Sequence, residues 1–194
     1  MARDEAAPFA RGETYYNGEA IDSGNLGGIN LEGKEYVIEG DDGRPVRLKV
    51  VRNSSSIALK PRRAVKFDTG SGVNVGTRVS GYTAAVGDVP AGVVDEKLPA
   101  AGVPANDLFY IVIEGPTEGV TVESGLTAIS KGDRVVPGTG TSSTSDDAGK
   151  LQKQDVSGTA ATLANNIQNV VGRAAAAQAS TNTAVAIVAQ FAHR

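Results

Sequence analysis

Short runs of alternating polar and apolar residues, cut apart by glycine, constrain this chain more than any other feature. Lys34 to Glu39 reads as a strand with Tyr36 and Ile38 on one face. Gly40-Asp41-Asp42-Gly43 supplies turn chemistry, because Gly and Asp tolerate positive φ. Pro45 to Arg52 then sets Val46, Leu48 and Val50 against Arg47 and Lys49 on the opposite face. The spacing predicts further short strands at Ser56–Leu59, Ala64–Phe67, Val75–Val79, Gly119–Glu123, Asp133–Val136 and Ala184–Phe191. Leu108 to Glu114 is apolar on both faces and predicts a central buried strand that Gly115-Pro116 ends. The expected fold is therefore all-β, a β-sandwich or β-barrel body with at most a short helix.

Two regions depart from this pattern. Residues 1–33 hold six glycines and few large apolar groups, too little apolar surface to fold alone. We expect an extended N-terminal arm over 1–33 and a β-rich body over 34–194, with the basic hairpin 34–67 as a candidate subdomain. Phe9, Tyr15, Tyr16, Ile21 and Leu26 are the candidate anchors of that arm on a neighbouring subunit, and fully extended it spans roughly 100 Å. From Pro137 to Gly149 the chain is a low-complexity loop. Thr159 to Gln178 carries Leu163, Ile167, Val171 and Ala175 at helical spacing, yet Val170-Val171-Gly172-Arg173 reads as strand. A loop or short helix to Asn166 and a strand over Ile167–Ala176 reconcile the two.

The residue inventory narrows the chemistry. Cysteine is absent, which excludes disulfides, thiolate metal sites and thiol nucleophiles. The single histidine, His193, sits beside the C-terminal residue, a poor place for a catalytic base. Gly28 to Lys34 has the spacing of a phosphate-binding loop, but Glu35 stands where a Ser or Thr hydroxyl is needed. Gly70-Ser-Gly72-Val-Asn-Val-Gly76 has the wrong final spacing for a dinucleotide site. Asp41-Asp42 and Asp146-Asp147 lack the further regularly spaced ligands that calcium requires. We expect no enzyme activity, no cofactor and no metal. Neither a long apolar span nor a signal-like N-terminus is present, so we expect a soluble product of the cytoplasm with no membrane partner.

Charge is unevenly placed. Arg44, Arg47, Lys49, Arg52, Lys60, Arg62, Arg63 and Lys66 fall in one stretch without a single Asp or Glu. The net charge of −3 leaves the rest of the chain at −11. These eight residues are the candidate docking site for an acidic protein surface. Nucleic acid is a weaker match, since no aromatics interleave with them for base stacking. With nine Phe plus Tyr and no Trp, the chain is also poorly equipped for sugar stacking, so a carbohydrate-binding module is a secondary reading.

Four segments of the second half, in order, resemble the small capsid decoration (cement) proteins of tailed bacteriophages. They are Val75-Gly-Thr-Arg-Val79, Ile129-Ser-Lys-Gly-Asp-Arg-Val-Val136, Val170-Val-Gly-Arg-Ala-Ala-Ala-Ala177 and Thr183-Ala-Val-Ala-Ile-Val188. The resemblance covers roughly residues 60 to 192, and the arm, the basic hairpin and the loop from Pro137 to about Asn166 are longer than in that family. It implies a β-sandwich or β-barrel body, often a homotrimer, seated on the outer surface of the virion's head where major capsid proteins meet. Another virion part, a tail tube or baseplate protein, would share the Gly-rich, Cys-free profile.

Overall fold

The computed structural model describes residues 10–14, 31–70, 76–83, 88–122, 128–138, 148–154, 170–178 and 184–191. Ten strands run through them: β1 (Glu35–Glu39), β2 (Pro45–Asn53), β3 (Ala64–Phe67), β4 (Arg78–Tyr82), β5 (Pro90–Val94), β6 (Leu108–Thr121), β7 (Arg134–Pro137), β8 (Leu151–Lys153), β9 (Gly172–Ala174) and β10 (Ala184–Gln190). The fold is all-β, and no helix occurs among the described residues.

All ten strands belong to one mixed sheet in the order β1-β2-β4-β3-β5-β6-β10-β9-β7-β8, with a further pairing of β2 and β6. That extra pairing closes β2, β4, β3, β5 and β6 into a ring. One core cluster draws Val51, Val65, Val79, Val94, Phe109 and Ile111 from these five strands. A second cluster gathers Tyr36, Val135, Leu151 and Ile187 from the strands that extend the sheet, together with Leu48 of β2 and Tyr110 of β6. β6 serves both: Phe109, Ile111 and Ile113 enter the first core, and Leu108, Tyr110 and Val112 the second. Its two-faced apolar sequence is the cause, since successive side chains point to opposite faces. The edge of Tyr36 packs against Tyr110, with ring centroids 6.2 Å apart and planes at 83°.

The hairpin of β1 and β2 forms as its alternation predicts, and Gly43 takes a φ of 75° in the turn. Three expectations need correction. Gly115-Pro116 does not end the central strand: β6 continues to Thr121 and absorbs most of the segment expected at Gly119–Glu123. Up to Glu114 it pairs with β2, and from Glu114 onward with β10. At the handover Gly115 has a φ of 107°, and a Cβ there would lie 2.6 Å from the Pro45 carbonyl oxygen. The glycine bends a continuous strand instead of stopping it.

Ser56–Leu59 is not a strand. Leu59 makes a lone bridge to Val103, and the chain before it turns around the buried Asn53. The Asn53 amide nitrogen donates to the carbonyls of Ile57, Val103 and Pro104, while its Oδ1 accepts from Ser55. These bonds compete with ladder pairing. The strand expected at Val75–Val79 is β4, displaced to Arg78–Tyr82. In the ambiguous stretch, β9 occupies Gly172–Ala174, and residues 155–169 lie outside the described ones.

Candidate interaction surface

A groove of about 490 Å³ lies where β1, β2, β6 and β10 run side by side. Four of its residues form one cross-strand row: Val37 opposes Arg47, Arg47 opposes Glu114, and Glu114 opposes Gln190. Pro45, Gly115, Val188 and Ala189 complete the lining. Alternation places Tyr36 and Leu48 in the core and turns Val37 and Arg47 outward. Val37 is 62% exposed and Val188 38%, and among the described residues Val89 is the other large hydrophobic exposed to this degree. Within it Arg47 Nη1 lies 3.3 Å from Glu114 Oε2, with both side chains substantially exposed. Such a pair contributes little in water. The groove is an open surface of mixed apolar and charged lining.

Among the described residues no three His, Cys, Asp or Glu side chains stand close enough to hold a metal ion. No family model matches this sequence. No curated protein matches it. Among solved structures, the head fiber gp8.5 N base in bacteriophage phi29 resembles this chain at a TM-score of 0.42 and 15% identity, over 76% of this chain and 96% of that one.

The eight clustered basic residues are distributed over several local contacts. Arg44 pairs with Asp42, Arg47 with Glu114, Lys49 with Glu35, Arg52 with Glu32 and Lys66 with Asp88. Lys49 also lies over the Phe67 ring, 5.4 Å from its centroid. Lys60 Nζ donates to the carbonyls of Ala100 and Ala101, and Arg63 donates to that of Ala148 while its guanidinium lies over Tyr82. Their strand positions explain this dispersal. Neighbours in sequence that alternate along β2 meet acids on β1 and β6, which sequence spacing does not reveal.

Arg62 differs from the rest. It is exposed, it adopts a φ of 64°, and no side-chain partner holds it among the described residues. Its backbone is held on both sides, since Arg62 N donates to the Val94 carbonyl and Thr121 N donates to the Arg62 carbonyl. A bulky residue with positive φ is strained, and such strain persists only where surrounding bonds enforce it. Its guanidinium runs past Gly119, where a Cβ would come within 3.2 Å of Arg62 Nε.

Phe9, Tyr15, Tyr16, Ile21 and Leu26, the candidate arm anchors, lie outside the described residues. Two pieces of 1–33 are described, and both touch the body. Arg11 donates to the Asp95 carboxylate, and Leu31 is buried in the second core. Glu32 pairs with both Arg52 and Arg78.

Proposed function

We propose that this chain is a structural virion protein that binds the outer surface of a tailed-phage head and holds neighbouring major capsid proteins together. In this reading it works as a homotrimer, with no catalytic step and no direct contact to nucleic acid. One observation carries the proposal. Three of the four segments that resemble decoration proteins assemble side by side: β10 pairs with β9, and β9 with β7. The remaining segment contributes to β4, inside the ring. The Lys131-Gly-Asp-Arg-Val turn has a structural reason. Asp133 Oδ2 accepts from Ser130 N at 2.7 Å and from Lys153 Nζ at 2.9 Å, which fixes the entry to β7.

The effect on a shell would be mass action. A protein that binds only the assembled, expanded shell stabilises it by about 2.7 kcal/mol per site at a hundredfold excess over Kd. Repeated over many sites, that resists the pressure of packaged DNA. The exposed turn of Lys60 and Arg62 is the part of the basic segment best placed to meet an acidic shell surface.

The test is sedimentation of the purified protein with expanded heads that lack it, followed by imaging of labelled copies. Saturable binding at regular positions on the head is expected. Arg62→Gly preserves the positive φ without the charge, and together with Lys60→Glu it should weaken binding while the fold persists. Label on the tail tube or baseplate, or no binding to heads, overturns the reading.

A further inference from the structure

The edge of the sheet at β1 is open in a way that selects its partner. Val50 N donates to the Lys34 carbonyl, and Gly40 N donates to that of Arg44. In an antiparallel ladder, bonded and non-bonded pairs alternate. The bonded pairs are therefore Tyr36 with Leu48 and Ile38 with Val46. Glu35, Val37 and Glu39 direct their backbone N–H and C=O groups away from β2. No other described strand pairs with β1, and among the described residues none of these three has a further hydrogen bond.

Their side chains set the charge of that edge. Val37 stands exposed between two exposed glutamates and borders the groove that ends at Val188. Glu35 has a long ion pair to Lys49 at 3.8 Å, and Glu39 has none among the described residues. Beyond Glu39, Asp41 and Asp42 are exposed but paired with Lys97 and Arg44, so the charge of the edge rests on Glu35 and Glu39. Charged side chains on an edge discourage indiscriminate pairing. Here both flanking charges are negative. A second copy pairing antiparallel about Val37 would set each Glu35 against the other copy's Glu39, two like-charge contacts that disfavour it.

We propose that β1 accepts an extended segment of a partner protein as an added strand, one with an apolar residue flanked at two-residue spacing by lysine or arginine. Backbone bonding at Glu35, Val37 and Glu39 supplies affinity, and the alternate side chains supply selectivity. That the partner is a shell protein rests on the function proposed above; the chemistry of the edge does not.

The experiment uses a short synthetic peptide with valine flanked by lysines at that spacing, and a twin with glutamates, read by fluorescence anisotropy and by amide NMR shifts. The lysine peptide should bind at least ~10-fold more tightly than its twin, weaken with salt, and shift the amides of Glu35, Val37 and Glu39. Val37→Pro removes an outward donor without touching the bonds to β2, so it should abolish binding with the fold retained. Glu35→Lys with Glu39→Lys should reverse the peptide preference, which decides the matter even if the proline variant fails to fold. Equal binding of both peptides, or a reversal variant with unchanged preference, overturns the proposal. Loss of head binding alongside intact peptide selectivity would overturn the function above and leave this edge assignment standing.

Discussion

Arg11 reaches across most of the first half of the chain to clamp Asp95, whose side chain is fully buried. Nε and Nη2 both donate to the carboxylate, the closest contact being 2.6 Å, and Lys97 N adds a backbone donor. Glu96 lies 3.4 Å from the same guanidinium. The residue after Arg11, Gly12, lies so close to Lys97 that a Cβ would come within 2.7 Å of its carbonyl oxygen. Arg11→Ala leaves a buried carboxylate without its cation, and should cost about 3 to 5 kcal/mol in denaturant unfolding. Replacing both residues, Arg11→Met with Asp95→Leu, should recover much of that loss. A single substitution without measurable cost would show that the clamp contributes nothing.

Gly115→Ala tests the bend at which β6 passes from β2 to β10. The substitution meets two obstacles, a φ of 107° and a Cβ position 2.6 Å from the Pro45 oxygen. Both obstacles are backbone, so neither yields easily. Stability should fall by about 2 kcal/mol or more, measured by thermal and urea unfolding. Gly132→Ala is the matched control: its φ is similarly positive at 88°, yet nothing lies within 4 Å of its Cβ position. It should lose less.

These two glycines mark where the sequence is legible and where it stops being so. Glycine announced a change of direction at position 115, but not whether the strand ended or bent, because that depends on β10, which arrives almost seventy residues later. The alternation of Val46, Leu48 and Val50 was readable because one face of β2 meets a core there. The double-sided run of β6 was readable as burial, although nothing local said that its faces serve two different cores. The closure of the ring through β2 and β6 was not legible, since it is a pairing between distant segments. Val37 gives no sign in the sequence of its place on the surface, because an isolated valine in an alternating strand is ordinary pattern. Its exposure shows only when the register of β1 is known.

Asn53 replaces what sequence pattern expected to be ladder pairing after β2. Its amide nitrogen donates to three carbonyls at 2.9 to 3.0 Å, all within a site where the side chain has no exposure. Asn53→Ala removes one donor from each of these carbonyls, which keep only Leu59 N, Asp107 N and the Ser55 hydroxyl, and it takes the shared acceptor from Ser55 N and Oγ. The cost should exceed that of an ordinary hydrogen bond and reach about 3 kcal/mol, measured by chemical denaturation. Asn53→Asp should be worse at neutral pH, because a carboxylate would face carbonyl oxygens where a donor is required. A loss below about 1 kcal/mol in the alanine variant would mean that water takes over the bonds.

Acid should weaken the fold through a small set of anchoring aspartates. The hydrogen bond from Lys153, then that from Ser130 N, holds the Asp133 carboxyl below the ordinary carboxylate range. The backbone of Gly70, then the Ser54 hydroxyl, does the same for Asp68. A carboxylate whose pKa is lower when folded contributes stability above its unfolded pKa of about 3.9, and loses it as pH falls through the folded value. Stability from these two groups should therefore be constant from neutral pH down to about 5 and decline below about 4. Both are near the surface, so each contributes modestly and the effect shrinks in salt. Asp133→Asn cannot release this contribution on acidification, so its stability at neutral pH should fall slightly and its acid limb should flatten. Unfolding midpoints measured across that range for the native chain and the asparagine variant test this directly; parallel acid limbs would show that Asp133 plays no part in the pH response.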